Sequence, residues 1–203
     1  MTEVRGMRVI LWAGCFSEAE AMLTLATALA AEAGATLEGI LVEEETGLAL
    51  ASLGATRFVD PAGRTIAQPG RDRMRAAYAR DAARFERLLS DTAATASLNW
   101  SFRRAGEHST KTLAAFAGPG DLLVLPARPI GVSFREILLD PDTDNGLAPL
   151  ARSTAARLGR PLRLLGAARQ SSKEAGSVLF TTLPPGGLAK LASAAHCARV
   201  FRV

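Results

Sequence analysis

The sequence predicts an α/β protein with an open, mainly parallel sheet and helices on both faces. Three observations point to it. Met7 to Ala13 (MRVILWA) is a continuous apolar run, the pattern of a parallel strand covered on both sides. Leu37 to Glu43 (LEGILVE) follows after one helix-length segment, so the first forty residues read as a β-α-β unit. Apolar runs of strand length then keep alternating with segments of helical period, which implies a parallel sheet with right-handed crossovers.

The elements follow in order. Gly14-Cys15-Phe16 turns the chain after the first strand. Ser17 with Glu20 three residues later forms a capping box, which supplies acceptors to the free amides of a helix start. Ala21, Met22, Leu25, Leu29 and Ala30 continue that helix, and Gly34 ends it as a residue tolerant of positive φ. Residues 44–70 are irregular, with turn signals at Asp60-Pro61-Ala62-Gly63 and Gln68-Pro69-Gly70. A long amphipathic helix runs from Arg71 to about Thr95 on the stripe Met74, Tyr78, Phe85, Leu88 and Leu89.

Leu98 to Phe102 alternates apolar with polar as a half-buried strand. Ser109 or Thr110 caps a short helix through Leu113 and Phe116, stopped by Gly118-Pro119-Gly120. Asp121 to Leu125 is the next strand, and a loop with two prolines leads on through an apolar-basic segment to Asp140. After the polar run Asp140 to Gly146, Leu147 to Leu158 reads as a helix with Gly159 past its end, and Pro161 to Leu165 as a fifth strand. Residues 167–176 read as a linker to a compressed β-α-β tail: a strand at Ser177–Thr182, a helix at Gly187–Ala195 and a strand at Ala198–Val203. The expected organisation is one α/β domain over residues 1–166 and a C-terminal extension over 167–203, either a shrunken repeat or a continuation of the sheet.

Composition narrows the functional classes. With 48% hydrophobic and 22% charged residues the chain has the balance of a globular protein with a substantial core. No apolar run approaches the roughly 18 residues of a membrane span, so no membrane partner is expected. The N-terminus lacks the apolar stretch and cleavage site of a signal peptide. Cys15 and Cys197 stand far apart without metal-ligand spacing and read as free thiols, which fits the cytoplasm. The net charge of +4 comes almost wholly from arginine, the residue suited to phosphate. Because those arginines sit beside acids, as in Arg71-Asp72-Arg73 and Arg84-Phe85-Glu86-Arg87, nucleic-acid binding is not expected.

Asp121 to Asp140 (DLLVLPARPIGVSFREILLD) resembles the fourth strand and following loop of the universal stress proteins, where the loop reads G-x2-G-x9-G-[ST] and cradles ATP phosphates. The first strand with its helix, and the Arg103–His108 turn, are similar to the family's at the corresponding places. The resemblance covers residues 7–166 and implies a three-layer HUP/flavodoxin-like fold with a five-strand parallel sheet, frequent homodimers and, in one subclass, ATP binding. The ATP motif does not carry over. Its first two glycine positions fall on Pro126 and Pro129, which have no amide hydrogen, and its last pair falls on Leu139-Asp140. Asp140 would set a negative charge against phosphate, a clash of a few kcal/mol at about 4 Å. No aspartate ends the first strand near Ala13 and Gly14, where nucleotide-binding members tend to carry one.

The expected function is therefore a non-catalytic domain of this kind, a homodimer acting through an unknown protein partner, with no cofactor and with ATP binding lost. The alternative is a nucleotide- or anion-binding module in a remodelled cleft. Ligands of open α/β sheets bind at the carboxyl ends of the strands, so that cleft would use Gly14, Cys15 and Ser17 after the first strand, and Gly131, Ser133, Arg128 and Arg135 after the fourth. Cys15 before a helix start would be a nucleophile only with a depressed pKa. His108 reads as a surface residue in a turn. His196 and Cys197, adjacent on or near a strand, point to opposite faces and make poor co-ligands. Asp140, Asp142 and Asp144 have the spacing of a calcium loop's start, but Gly146 comes one position late and Ala151 stands where the bidentate glutamate belongs, so no metal is expected. No hydrolase or metalloenzyme motif is present.

Overall fold

The computed structural model describes residues 6–43, 58–59, 65–66, 71–106, 113, 116–126, 134–143, 146–165, 177–181 and 198–203. It is an α/β protein whose main sheet has eight strands among the described residues. In chain order these are β1 (Arg8–Ala13), β2 (Thr36–Val42), β5 (Trp100–Ala105), β6 (Leu122–Leu125), β7 (Glu136–Leu139), β8 (Leu162–Leu164), β9 (Ser177–Phe180) and β10 (Ala198–Arg202). A separate antiparallel pair joins β3 (Phe58–Val59) to β4 (Thr65–Ile66), on either side of the turn signal at 60–63. The long helices among the described residues are α1 (Phe16–Ala33), α2 (Arg71–Thr95) and α3 (Leu147–Leu158).

The spatial order is β5-β2-β1-β6-β10-β9-β7-β8. Its first four strands are mutually parallel, and so are its last four. The two groups meet at one antiparallel junction, where Val200 of β10 stands opposite Val124 of β6. The tail is thus threaded into the sheet between β6 and β7, with β9 and β10 both interior. The expected fifth strand is present as β8, but it pairs with β7 at the far edge and not with β6. β7 itself lies where the sequence suggested only an apolar-basic segment. Its four residues, EILL, are too few to show a period, and pairing with β9 and β8 decides their conformation.

Alternation along the strands builds two cores. Val9, Leu11 and Ala13 face the side covered by α1, α2 and α3, together with Leu37, Leu41, Leu122, Val124, Ile137, Val178 and Phe180. Ile10, Trp12, Ile40, Val42, Leu123 and Phe201 face the other side, where Leu113 and Phe116, both in helical conformation, close over them. α1 lies between α2 and α3, which is why its apolar residues extend so far around the helix. At Gly39 a side chain is excluded: an added Cβ would lie 2.8 Å from Leu89 Cδ2 and 2.9 Å from Phe85 Cζ. The missing side chain is what lets α2 lie directly on β2. The helix proposed at Gly187–Ala195 falls outside the described residues.

Candidate functional site

The carboxyl end of β1 is the natural crevice of the first half-sheet, since β2 and β5 extend to one side of β1 and the chain returns to its other side as β6. Gly14 and Cys15 lie there, as expected. The helix start lies there too, but in a different register from the expected one. α1 begins at Phe16, with extended Cys15 in the capping position, so Ser17 is already inside the first turn and caps nothing. Glu18, not Glu20, reaches back: its Oε2 accepts the Gly14 amide at 2.7 Å. A carboxylate in the first turn also complements the helix dipole, and burial within a few residues of the strand end favours the shorter reach of Glu18.

The amides of this helix start are occupied by the chain's own groups. Phe16 N donates to Asp81 Oδ2 of α2 at 3.4 Å, and Ala19 N to the Cys15 carbonyl at 3.2 Å. Glu18 is buried, 6% exposed, so its carboxylate cannot simply swing into solvent. Burial pushes the Cys15 thiol above its ordinary pKa, and the charges of Glu18 and Asp81 add to this; the Glu18 and Ser17 amides pull the other way and lose. The thiol keeps its proton at neutral pH, which removes the depressed pKa a nucleophile needs.

Of the other candidates, only Arg135 is among the described residues, and it does not lie at this point. Arg128, Gly131 and Ser133 lie outside the described residues, as do His108, Asp144, His196 and Cys197. Arg135 is exposed and precedes β7. Because β7 runs opposite to β1, Arg135 lies at the same end of the sheet as Cys15. However, β6, β10 and β9 stand between them, which puts their strands about 19 Å apart at ordinary strand spacing. Pro126, at the end of β6, offers no amide to the crevice. Glu43, after β2, pairs with Arg104, whose Nε lies 2.7 Å from Oε1.

Two polar clusters were not legible in the sequence. At the opposite end of the sheet, the Arg8 guanidinium donates to Glu38 Oε2 at 2.7 Å, to the Phe116 carbonyl at 2.8 Å and to both oxygens of Asp121. Asp121 also accepts the Arg8 and Gly118 amides, and Arg103 Nε pairs with Glu38 Oε1 at 2.7 Å. Burial alone would lower the pKa of Arg8, but the hydrogen bond and charge of Asp121, with Glu38 behind them, raise it instead. The four charges cancel and the three buried members are bonded on several sides, so the cluster joins β1, β2 and β6 to the 116–121 turn. It lies at the amino ends of those strands, away from where such sheets bind ligands.

The second cluster ties the carboxyl ends of β7 and β9. Thr181 Oγ1 donates to Asp140 Oδ2 at 2.7 Å, Asp142 N to Asp140 Oδ1 at 3.1 Å, and Thr143 Oγ1 to the Phe180 carbonyl at 3.1 Å. Asp140 therefore accepts hydrogen bonds within the fold, which is a structural role and not one beside a phosphate loop. Among the described residues no group of three His, Cys, Asp or Glu side chains is placed to hold a metal. No described helix is long and apolar enough to cross a membrane.

No family model matches the sequence, and no curated protein matches it. Among solved structures, the lysine monooxygenase NbtG from Nocardia farcinica, described for its NADPH domain conformation, aligns at 13% identity over 89% of this chain with a TM-score of 0.20. The chain spans 59% of that protein's length, and a likeness this slight carries no argument about fold or activity.

Proposed function

We propose that this chain is a non-catalytic, universal stress protein-like α/β module that acts through protein partners and does not hold ATP in the family's cleft. The observation that carries this reading is the bond from Gly14 N to Glu18 Oε2, with Asp81 on the Phe16 amide. A phosphate entering here would have to displace two carboxylates from the amides it needs. It would also meet their charge. Pro126 and the raised thiol pKa of Cys15 support the same conclusion, since neither a glycine cradle nor a nucleophile is at hand. The four parallel strands β5-β2-β1-β6, entered through a β-α-β unit, are compatible with the family's architecture.

The proposal includes a cytoplasmic location and a homodimer. The β6 edge is filled by β10, so self-pairing would use the terminal strands of the sheet, β5 or β8. An anion-binding module at the β1 crevice is the weaker reading, because Arg135 stands too far across the sheet to share a ligand with the α1 start.

The test is thermal stability with millimolar ATP, ADP, AMP and sulfate. A ligand at a hundredfold excess over its Kd adds about 2.7 kcal/mol, which is several degrees for a chain of this size. The proposal expects no shift with any of them. A shift with adenine nucleotides alone would make this a nucleotide-binding protein.

A further inference from the structure

The geometry points to the outer face of α2 as a docking surface for the phosphodiester backbone of nucleic acid. In sequence the arginines of this helix alternate with acids, and that adjacency suggested a neutral, solvated face. Successive residues on a helix, however, are about 100° apart. Arg73, Arg80, Arg84 and Arg87 fall within about 60° of one another around the axis, while the buried Ala82, Phe85 and Leu89 lie on the opposite side. Asp72, Glu86 and Asp81 lie off this stripe, and Asp81 faces the Phe16 amide. Asp91 is on the stripe, one turn beyond Arg87.

All four arginines are exposed. Among the described residues none of them enters an ion pair with a carboxylate. Arg84 is held by its guanidinium lying 4.1 Å above the centre of the Phe16 ring, which leaves its edge free to donate. The stripe is about 21 Å long, with steps of about 10, 6 and 4.5 Å.

The chemistry of the face chooses among polyanions. Ala76, Ala77 and Ala83, all exposed, lie between and beside the arginines, so a rod can approach closely. Among the described residues no exposed aromatic or large aliphatic side chain stands there to anchor a protein interface, and the apolar side of α2 is spent on the sheet and so does not insert into a lipid surface. Interfaces with nucleic acid are the more polar and more positive kind, and arginine takes phosphate oxygens in pairs. The sequence pI of about 9.7 adds a favourable field. Nothing here reads bases, so binding is independent of sequence. This inference is separate from the reading of the β1 crevice and survives if that reading fails.

The test is fluorescence anisotropy of a labelled, mixed-sequence duplex of about 20 base pairs at about 50 mM salt. Saturable binding is expected, with log Kd rising steeply with log salt. The pair Arg80→Gln with Arg87→Gln should weaken it by roughly tenfold or more and lower the salt slope by about two. Arg152→Gln, which removes an exposed arginine of α3, should leave it unchanged, and circular dichroism should show both variants folded. Inorganic phosphate at equal charge should not compete. No binding of the duplex, equal binding by the paired variant, or equally tight binding of polyglutamate, which would make this a dock for acidic proteins, each overturns the inference.

Discussion

Gly39 shows how one residue sets the spacing of two elements. Its vacant Cβ position is taken up by Phe85 and Leu89 of α2, both fully buried. Gly39→Ala forces one of those rings or branches to move, an overpacking that costs about 1–3 kcal/mol. Chemical denaturation should show the loss in the midpoint, with an unchanged slope. If Gly39→Ala were neutral, α2 would not rest on β2 as described. Cys15 gives a prediction in pH. Its folded pKa is raised above that of the unfolded chain by burial and then by Glu18 and Asp81. The associated stability is therefore complete below the ordinary thiol pKa and is lost as pH rises through the folded one. Iodoacetamide labelling of Cys15 should accordingly have its pH midpoint above that of the unfolded protein, and a midpoint below it would refute the placement. At this scale the sequence was a partial guide. Gly14 and Cys15 were placed correctly from the end of an apolar run. The roles of Arg8, Glu38 and Asp121 were not legible, because their partners come from strands and turns far away in the chain.

The helices were the most legible elements, and their ends explain why. α1 and α3 each close on a glycine with left-handed φ, Gly34 at 60° and Gly159 at 59°, where the sequence placed their stops. α2 closes at Ser97, which adopts φ 54° without being glycine, with Leu98 N bonded back to the Ala93 carbonyl at 2.9 Å. Ser97→Gly removes the steric cost of that conformation. It should stabilise the protein by about 0.5–1 kcal/mol, raising Tm by about 1–4 °C. A lower Tm would mean that the serine side chain holds the helix end. The start of α1 was misread because Ser17 with Glu20 satisfies a capping pattern that the observed register does not use. Glu18 is two residues closer to the amide that needs an acceptor. β7 was missed for the opposite reason, being too short to carry a pattern of its own.

The whole molecule is organised by the β6–β10 junction. Parallel strands and β-α-β units were legible as a class of fold from apolar runs alone. Strand order was not, since nothing local tells β10 to pair with β6 in place of β8. That choice depends on which apolar faces meet, with Val200 and Phe201 almost fully buried beside Val124 and Leu123. Removing residues 198–203 should uncover the β6 edge and turn a well-behaved protein into one that self-associates, because an unpaired apolar edge templates further pairing. Size-exclusion chromatography with light scattering would show this. A truncated chain that stays folded and keeps its original mass would show β10 to be dispensable. The central claim, that the chain's own carboxylates fill the phosphate position at the α1 start, is tested most directly by amide NMR. The resonances of Gly14 and Phe16 should be followed while ATP is added to millimolar concentration. The account predicts that neither moves, whereas a saturable shift of both would show that nucleotide displaces Glu18 and Asp81 and would contradict it.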